Sequence, residues 1–471
     1  MMRSLYSGVS GLKNHQTRMD VVGNNISNVN TTGFKSSRVT FSDTLSQTLS
    51  GAAAPTDNLG GTNPKQIGLG SATSAIDTLF TDGSVQSTGV NTDMCLSGNG
   101  LFIVKNGDSV YYTRNGNFKF DSAGYYVNSD GLRVQGWMSD GTGGTINTNG
   151  ATTEICIPSG KSMAATASTI SIFSSNLNAS APTITNINYT DSQGQVTQGA
   201  GDVNVDGTNI VSATYTLSDG SSQTVTSGYV KKDRSVPLTS TLTIYDSLGS
   251  AHSIPVLLQK EAGAGNSWEV VLANGTNTYN ITETDGTTTT INLTPGTLKF
   301  TSDGAYDSTN SSPGTLNMTA GNGAATQSIT MDYSAMTQYA GSSTAYASTN
   351  GNAAGTLKSV SIDSSGVITG TYTNGLNVQE AQVAIAQFNN AAGLTKNGNS
   401  LYVESNNSGT PNVGTINALG CTVTPSALEM SNVDMASELT DMIVTQRGYQ
   451  SNSKIITVSD ELLETLINMK R

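Results

Sequence analysis

A seven-residue spacing at the carboxy-terminal end constrains this chain more than any other feature. Leu428, Met435, Met442, Tyr449, Ile456 and Leu463 recur at that interval, with Leu439 and Ile467 on the adjoining stripe. Strands alternate with period two, so this pattern gathers on one face only in a long helix. Ser426 and Glu429 have the spacing of a capping box, and Pro425 before them stops a helix entering from upstream. The spacing predicts a helix over 426–469, roughly 65 Å long at 1.5 Å per residue.

The amino-terminal end repeats the pattern less cleanly. Leu5, Leu12, Met19 and Ile26 share one heptad position; Gly8, His15, Val22 and Val29 share a second that is broken at Gly8 and His15. A short amphipathic helix and a coiled coil both fit, and Gly33 after Thr31-Thr32 suits a helix stop. Asn24, Asn25 and Asn28 cluster where this helix should end, as caps or as hydrogen-bonding groups between copies of the chain. Burying a dozen of these apolar side chains yields on the order of 20–30 kcal/mol gross. Ordering both ends costs about 1 kcal/mol or more per residue. The expectation is that the stripes pack on each other and on neighbouring copies, and that the ends are disordered in a monomer and helical in a polymer.

Between the ends the pattern turns to strands. Apolar runs at 102–104, 110–112, 118–120, 125–127 and 132–135 are separated by Asn106-Gly107, Asn115-Gly116, Ala123-Gly124 and Asp130-Gly131, the chemistry of hairpin turns. The same texture returns at 360–362, 367–372 and 381–388, and a Thr/Ser/Gly-rich stretch between carries further strand patterns. The reading is a multidomain α+β chain. Residues 1–33 and 426–471 form a helical coiled-coil domain, and 34–75 an extended linker rich in Ala, Gly and Pro. Residues 76–161 with 337–425 form a discontinuous β-rich inner domain, and 162–336 an inserted, barrel- or sandwich-like outer region of one or two subdomains.

Composition narrows the function. The 471 residues carry 22 Lys+Arg against 34 Asp+Glu, a net charge of −12. Nucleic-acid binders need a basic face for phosphates, so the balance argues against one. No apolar run approaches the ~18–20 residues of a spanning helix, which argues against membrane insertion. Cys95, Cys156 and Cys421 are too few and too scattered for a disulfide framework or a metal site, and His15 and His252 read as packing or surface residues. Gly160-Lys161-Ser162 resembles the tail of a phosphate-binding loop, but Ile155 stands where its first glycine belongs. With no GxSxG elbow and few histidines for general-base work, the chain reads as a non-enzyme without cofactor or metal. Abundant Ser, Thr, Asn and Gly suit an extracellular surface. Residues 1–8 lack the apolar core of a cleavable signal, which points to a specialised export route.

At both termini the residues themselves are familiar. Leu5-Tyr6-Ser7-Gly8-Val9-Ser10-Gly11-Leu12, then Val22-Gly23-Asn24-Asn25-Ile26-Ser27-Asn28-Val29-Asn30-Thr31-Thr32-Gly33-Phe34-Lys35, resembles the signature of bacterial flagellar rod and hook proteins. Ala427-Leu428-Glu429-Met430-Ser431-Asn432-Val433-Asp434 and Gln446-Arg447-Gly448-Tyr449-Gln450-Ser451-Asn452 are similar to that family's closing helix, and residues 382–388 leading to Gly393-Leu394 also fit. The length, residues 64–70 and the β-rich insertion resemble the hook branch. The resemblance implies a homopolymer of many copies forming a curved tube, a universal joint carrying torque from motor to filament. It also implies export through the flagellar type III apparatus, and the hook cap protein, the distal rod and the hook–filament junction protein as partners. On this reading the assembly residues are Leu5, Leu12, Met19, Val22 and Ile26 at one end, and Leu428, Met435, Leu439, Met442, Tyr449, Ile456 and Leu463 at the other. The alternatives are a distal-rod-like member, which would be straight, and a secreted Ser/Thr-rich adhesin, which would not need heptads at both ends.

Overall fold

The computed structural model of this chain describes residues 2–55, 60–140, 144–263, 265–283 and 286–469. Two α-helices stand near the ends of the described chain, α1 (Met2–Ser27) and α2 (Met435–Asn468), with strands and turns between them. Asn28 closes α1 by donating from Nδ2 to the Asn24 carbonyl at 3.0 Å and to Asn24 Oδ1 at 2.7 Å. Asp434 caps α2, its carboxylate accepting from the Ala436 N–H at 3.0 Å.

α2 begins at Met435 rather than at Ser426. Residues Ala427–Glu429 form a strand antiparallel to Val85–Ser87, and Ser426 has φ +56°. The Glu429 carboxylate is drawn into a buried ion network, so it never reaches back to cap a helix. Leu428 therefore packs within the β region and not on a helical stripe.

The stretch expected to be an extended linker is a two-stranded arm. β1 (Ser37–Asp43) pairs antiparallel with β4 (Ser71–Thr78), and between them β2 (Ser46–Ser50) pairs with β3 (Lys65–Gly68). The pairing joins residues 15 to 41 positions apart, which local composition could not register.

The chain divides into two compact units, Met1–Lys161 with Leu357–Arg471, and Ser162–Thr356. The return crossing lies near residue 356 and not near 336. Gln327–Tyr339 runs parallel to Ile170–Asn178, whose other side takes Tyr346–Thr349, so residues 337–356 stay with the insertion.

In the first unit, β5 (Val85–Ser87) pairs with Ala427–Glu429 and β6 (Met94–Ser97) with Thr422–Pro425. β7 (Gly100–Asn106) and β8 (Ser109–Thr113) form a hairpin; β9 (Phe118–Phe120) and β10 (Tyr126–Asn128) lead to β11 (Arg133–Met138), which lies beside β7. Asn377–Val383 extends the sheet past β11, and Leu401–Val403 extends it past β8. Phe102, Val104, Phe118, Tyr126, Val134 and Ile385 anchor its main core. The second unit has a core around Phe173, Trp268 and Tyr333, another around Ile187, Val203 and Tyr215, and a small cluster of Tyr229, Leu257 and Val271.

One turn recurs in both units. In the Asp-Ser-x-Gly loops at Asp121, Asp191, Asp246 and Asp363, the aspartate Oδ1 accepts from the N–H groups two and four residues on. The glycine at the fourth position has positive φ in all four. Each of these reversals is thus held by hydrogen bonds within its own loop.

Candidate assembly interface

α1 and α2 lie side by side and antiparallel. From base to tip, Asn25 Nδ2 donates to Glu438 Oε1 at 3.0 Å, Arg18 pairs with Asp441 at 2.8 Å, Gly11 faces Asn452 and Gly8 faces Ile456. The helices touch closely because small residues line the seam. A Cβ at Gly448 would come within 2.6 Å of the His15 ring, and one at Gly11 within 2.8 Å of the Asn452 amide.

The inward heptad position of α2 is polar. Glu438, Thr445, Asn452 and Ser459 recur at sevens; Thr445 and Ser459 are buried, while Glu438 and Asn452 meet α1. Desolvation holds the Glu438 carboxyl above its ordinary pKa, which the Asn25 hydrogen bond partly offsets. The apolar stripe of the sequence flanks this seam. Met442, Ile456 and Leu463 are half-buried, whereas Met435, Leu439 and Tyr449 are exposed. On α1, Val22 is buried, and Leu5, Leu12, Met19 and Ile26 are half-buried. α1 also packs on the arm: Asn14 Nδ2 donates to Ser71 Oγ at 2.7 Å, and Asn25 Nδ2 to the Ser37 carbonyl at 2.8 Å.

The remainder of α2 stays bare. Leu439 (45% exposed), Ile443 (58%), Val444 and Val458 carry apolar surface into solvent. With Gly11 opposite Asn452 and Gly8 opposite Ile456 in an antiparallel pair, Met2 stands about level with Glu461. The last turns of α2 overhang α1, with Leu462, Leu466 and Ile467 exposed. Contiguous apolar surface of this kind on a water-exposed helix marks a surface made to be covered.

Below the helices, residues from both ends of the sequence meet in a buried ion network. Glu429 and Lys35 are each 1% exposed and 2.7 Å apart, and Arg114 Nε donates to Glu429 at 2.9 Å. Arg114 also reaches Asp82 at 2.7 Å and the carbonyls of Gly98 and Gly100. The Lys35 ammonium donates to the Thr81 carbonyl at 2.6 Å, and the Gly83 N–H donates to Glu429 at 2.8 Å. Desolvation, with Arg114 beside it, lowers the Lys35 pKa against the pull of Glu429. Asn432 adds a clamp: its Oδ1 accepts the Ser36 N–H at 2.8 Å and its Nδ2 donates to the Leu79 carbonyl at 2.9 Å. The segments that enter α2 and leave α1 are thereby fixed to the β sheet.

Four flagellar sequence families match the chain along its length. They are "Flagella basal body rod protein" at 5–35, "Flagellar hook protein FlgE/F/G D1 domain" at 95–175, "Flagellar basal body protein FlaE D2 domain" at 222–352, and "Flagellar basal body rod FlgEFG protein C-terminal" at 424–469. The flagellar hook protein FlgE of Borreliella burgdorferi is 39% identical over 486 residues, and that of Treponema pallidum 36% over 503, each covering all of both chains. This chain belongs to the flagellar hook protein family. A flagellar basal-body rod protein, FlgG of Bacillus subtilis, is 28% identical over 473 residues and also covers both chains fully.

Within this hook-family chain the ion network was missed by sequence reasoning. Lys35 and Glu429 lie inside the two terminal motifs, and charged residues at the ends of apolar motifs were the available signal. The Asn cluster divides: Asn25 is buried and bonds β1 and α2, while Asn24 and Asn28 close the helix end. Of the two histidines, His15 lies in the helix seam and His252 is buried between Asp246 and Glu283 at 3.1 and 2.7 Å. Among the described residues no cluster of three or more His, Cys, Asp or Glu is placed to hold a metal, and no helix is long and apolar enough to cross a membrane.

Proposed function

We propose that this chain is the structural subunit of a flagellar hook, polymerising as many copies of itself into a curved tube that serves as a universal joint between motor and filament. The observation that carries the reading is the bare apolar side of α2 with its tip, which the described residues leave exposed. In the polymer the helix pairs line the inner wall and bury these side chains against neighbouring copies, while the β units form the outer surface. The buried network of Lys35, Arg114, Asp82 and Glu429 ties helix to sheet, so torque passes from inner to outer wall. On the same reading the subunit leaves the cell unfolded through the flagellar type III apparatus, without signal cleavage. It is added beneath a hook cap protein, and its tube joins the distal rod to the junction protein.

Purified full-length protein under salting-out conditions, viewed by negative-stain electron microscopy, tests this. Wild type forms tubes, and a L439N/I443N/L462N variant with an intact β fold stays monomeric. Tubes from both would overturn the assignment of α2. Straight wild-type tubes would favour a rod-like member, in line with the full-length likeness to the Bacillus rod protein.

A further inference from the structure

The single histidine of the second unit stands between two acids. His252, in the strand Ala251–Lys260, is 2% exposed, with Nε2 3.1 Å from Asp246 Oδ2 and Nδ1 2.7 Å from Glu283 Oε1. Among the described residues these two carboxylates are the charged groups within ion-pairing distance of the ring. The Asp246 carboxylate is wholly buried and accepts three further bonds. Two come from the Leu248 and Ser250 N–H groups at 2.9 and 2.8 Å, and one from the Asn322 amide at 2.6 Å. Burial pushes the Asp246 carboxyl up, but the donors together, Asn322 and His252 foremost, outweigh it and hold the group below its ordinary pKa. An ionised carboxylate only accepts. With both acids ionised both ring nitrogens must donate, and only the imidazolium carries two N–H groups.

The cluster draws three loops together. Asp246 opens the turn between Leu238–Tyr245 and Ala251–Lys260, Glu283 follows the strand Thr278–Thr282, and Asn322 lies between Thr315–Thr319 and Gln327–Tyr339. The Asp246 turn rests against both segments through which the chain enters and leaves this unit. A Cβ at Gly249 would come within 2.8 Å of the Ala165 side chain and 3.2 Å of the Ala354 nitrogen. Just before the turn, the Ser168 N–H donates to the Tyr245 carbonyl and Ser168 Oγ accepts the Tyr245 N–H, both at 2.9 Å.

We propose that His252 is a proton-operated clamp: as an imidazolium it ties the three loops together, and on losing its proton it releases one of them. In a neutral ring one nitrogen turns its lone pair on a carboxylate oxygen, and a bond becomes a buried contact without a proton. Glu283 is the partner that leaves, because its side chain is 25% exposed while Asp246 is held by three other donors. The end of the unit that holds residues 164–168 and 350–354 then loosens. The stabilisation is present while the ring is protonated and is lost as pH rises through its titration. The clamp is a property of one chain and goes beyond the polymer reading.

Two readouts on the full-length protein test it. In a W137F background the buried Trp268 reports unfolding of the second unit in urea, and ¹⁵N-labelled histidine reports ring protonation by NMR, with H252Q assigning the signal. The ring should carry two protons at neutral pH. Between about pH 6 and pH 9 the unfolding equilibrium constant of the second unit should rise about tenfold. E283Q should flatten that rise and stay as stable as the parent at pH ~6, because the Gln amide donates to a neutral Nδ1 while Nε2–H keeps Asp246. Both chains carry the same Tyr and Lys residues, so the difference isolates the clamp. H252Q should be flat as well, at the level of the alkaline parent, and gives the same reading should E283Q fail to fold. A neutral ring at neutral pH overturns the proposal, as does a pH dependence that persists unchanged in E283Q or H252Q.

Discussion

Replacing Glu429 by Gln should damage the first unit far more than an average surface change. The carboxylate is 1% exposed and faces two cations, Lys35 at 2.7 Å and Arg114 at 2.9 Å. Without its charge Arg114 keeps Asp82, whose side chain is 46% exposed, and the carbonyls of Gly98 and Gly100, while Lys35 keeps the Thr81 carbonyl but no anion at ion-pairing distance among the described residues. Removing one partner of a buried pair costs about 3–5 kcal/mol, a fifth or more of a domain stability of about 5–15 kcal/mol. Exchanging both partners, K35M/E429Q, removes one cation with the anion and should recover most of that loss. The chain has two tryptophans, and Trp137 is buried in the first unit while Trp268 is buried in the second. On a W268F background, Trp137 fluorescence during urea unfolding therefore reports the first unit alone. A loss below about 1 kcal/mol for E429Q, or a double variant weaker than the single, would refute the reasoning.

Three further outcomes follow from the same geometry. The folded pKa of Lys35 is lowered, so the unfolded chain binds more protons between that value and 10.5; the first unit should gain stability as pH rises through this window, and K35M should abolish the gain in urea melts. Gly116→Ala would put a Cβ 1.7 Å from the Met94 carbonyl oxygen, a backbone atom that cannot swing aside, and should cost about 2–3 kcal/mol in the same assay. In the monomer, α2 has one partner helix and a bare apolar side, so brief proteolysis should cut residues 435–469 in monomers and spare them in tubes, as read by mass spectrometry of the fragments.

Much of this architecture was legible because its signals are local. Heptad spacing locates both helices, and Asn-Gly, Ala-Gly and Asp-Gly pairs mark the hairpins of the first unit. What failed was non-local. Ser426 and Glu429 match a capping box in sequence, yet the partners that claim Glu429 lie 394 positions away at Lys35 and 315 away at Arg114. The arm at 37–78 failed for a similar reason, since exposed Ser- and Thr-rich strands carry little periodic apolar signal. The helix seam falls three residues along from the stripe of Met435, Met442 and Ile456. Of that stripe Ile456 meets α1 at Gly8, and beside it Thr445, Asn452 and Ser459 are small and polar so that the two backbones can approach. That choice leaves apolar side chains facing outward, which an isolated chain would not need.

Burial of that outward side by other copies is the central claim, and hydroxyl-radical footprinting of wild-type monomers and tubes measures it at single side chains. The account predicts that Leu439, Ile443, Val458 and Leu462 are labelled in the monomer and at least fivefold protected in the tube, with core Trp137 unlabelled in both. Equal labelling of those four side chains in monomer and tube would contradict it.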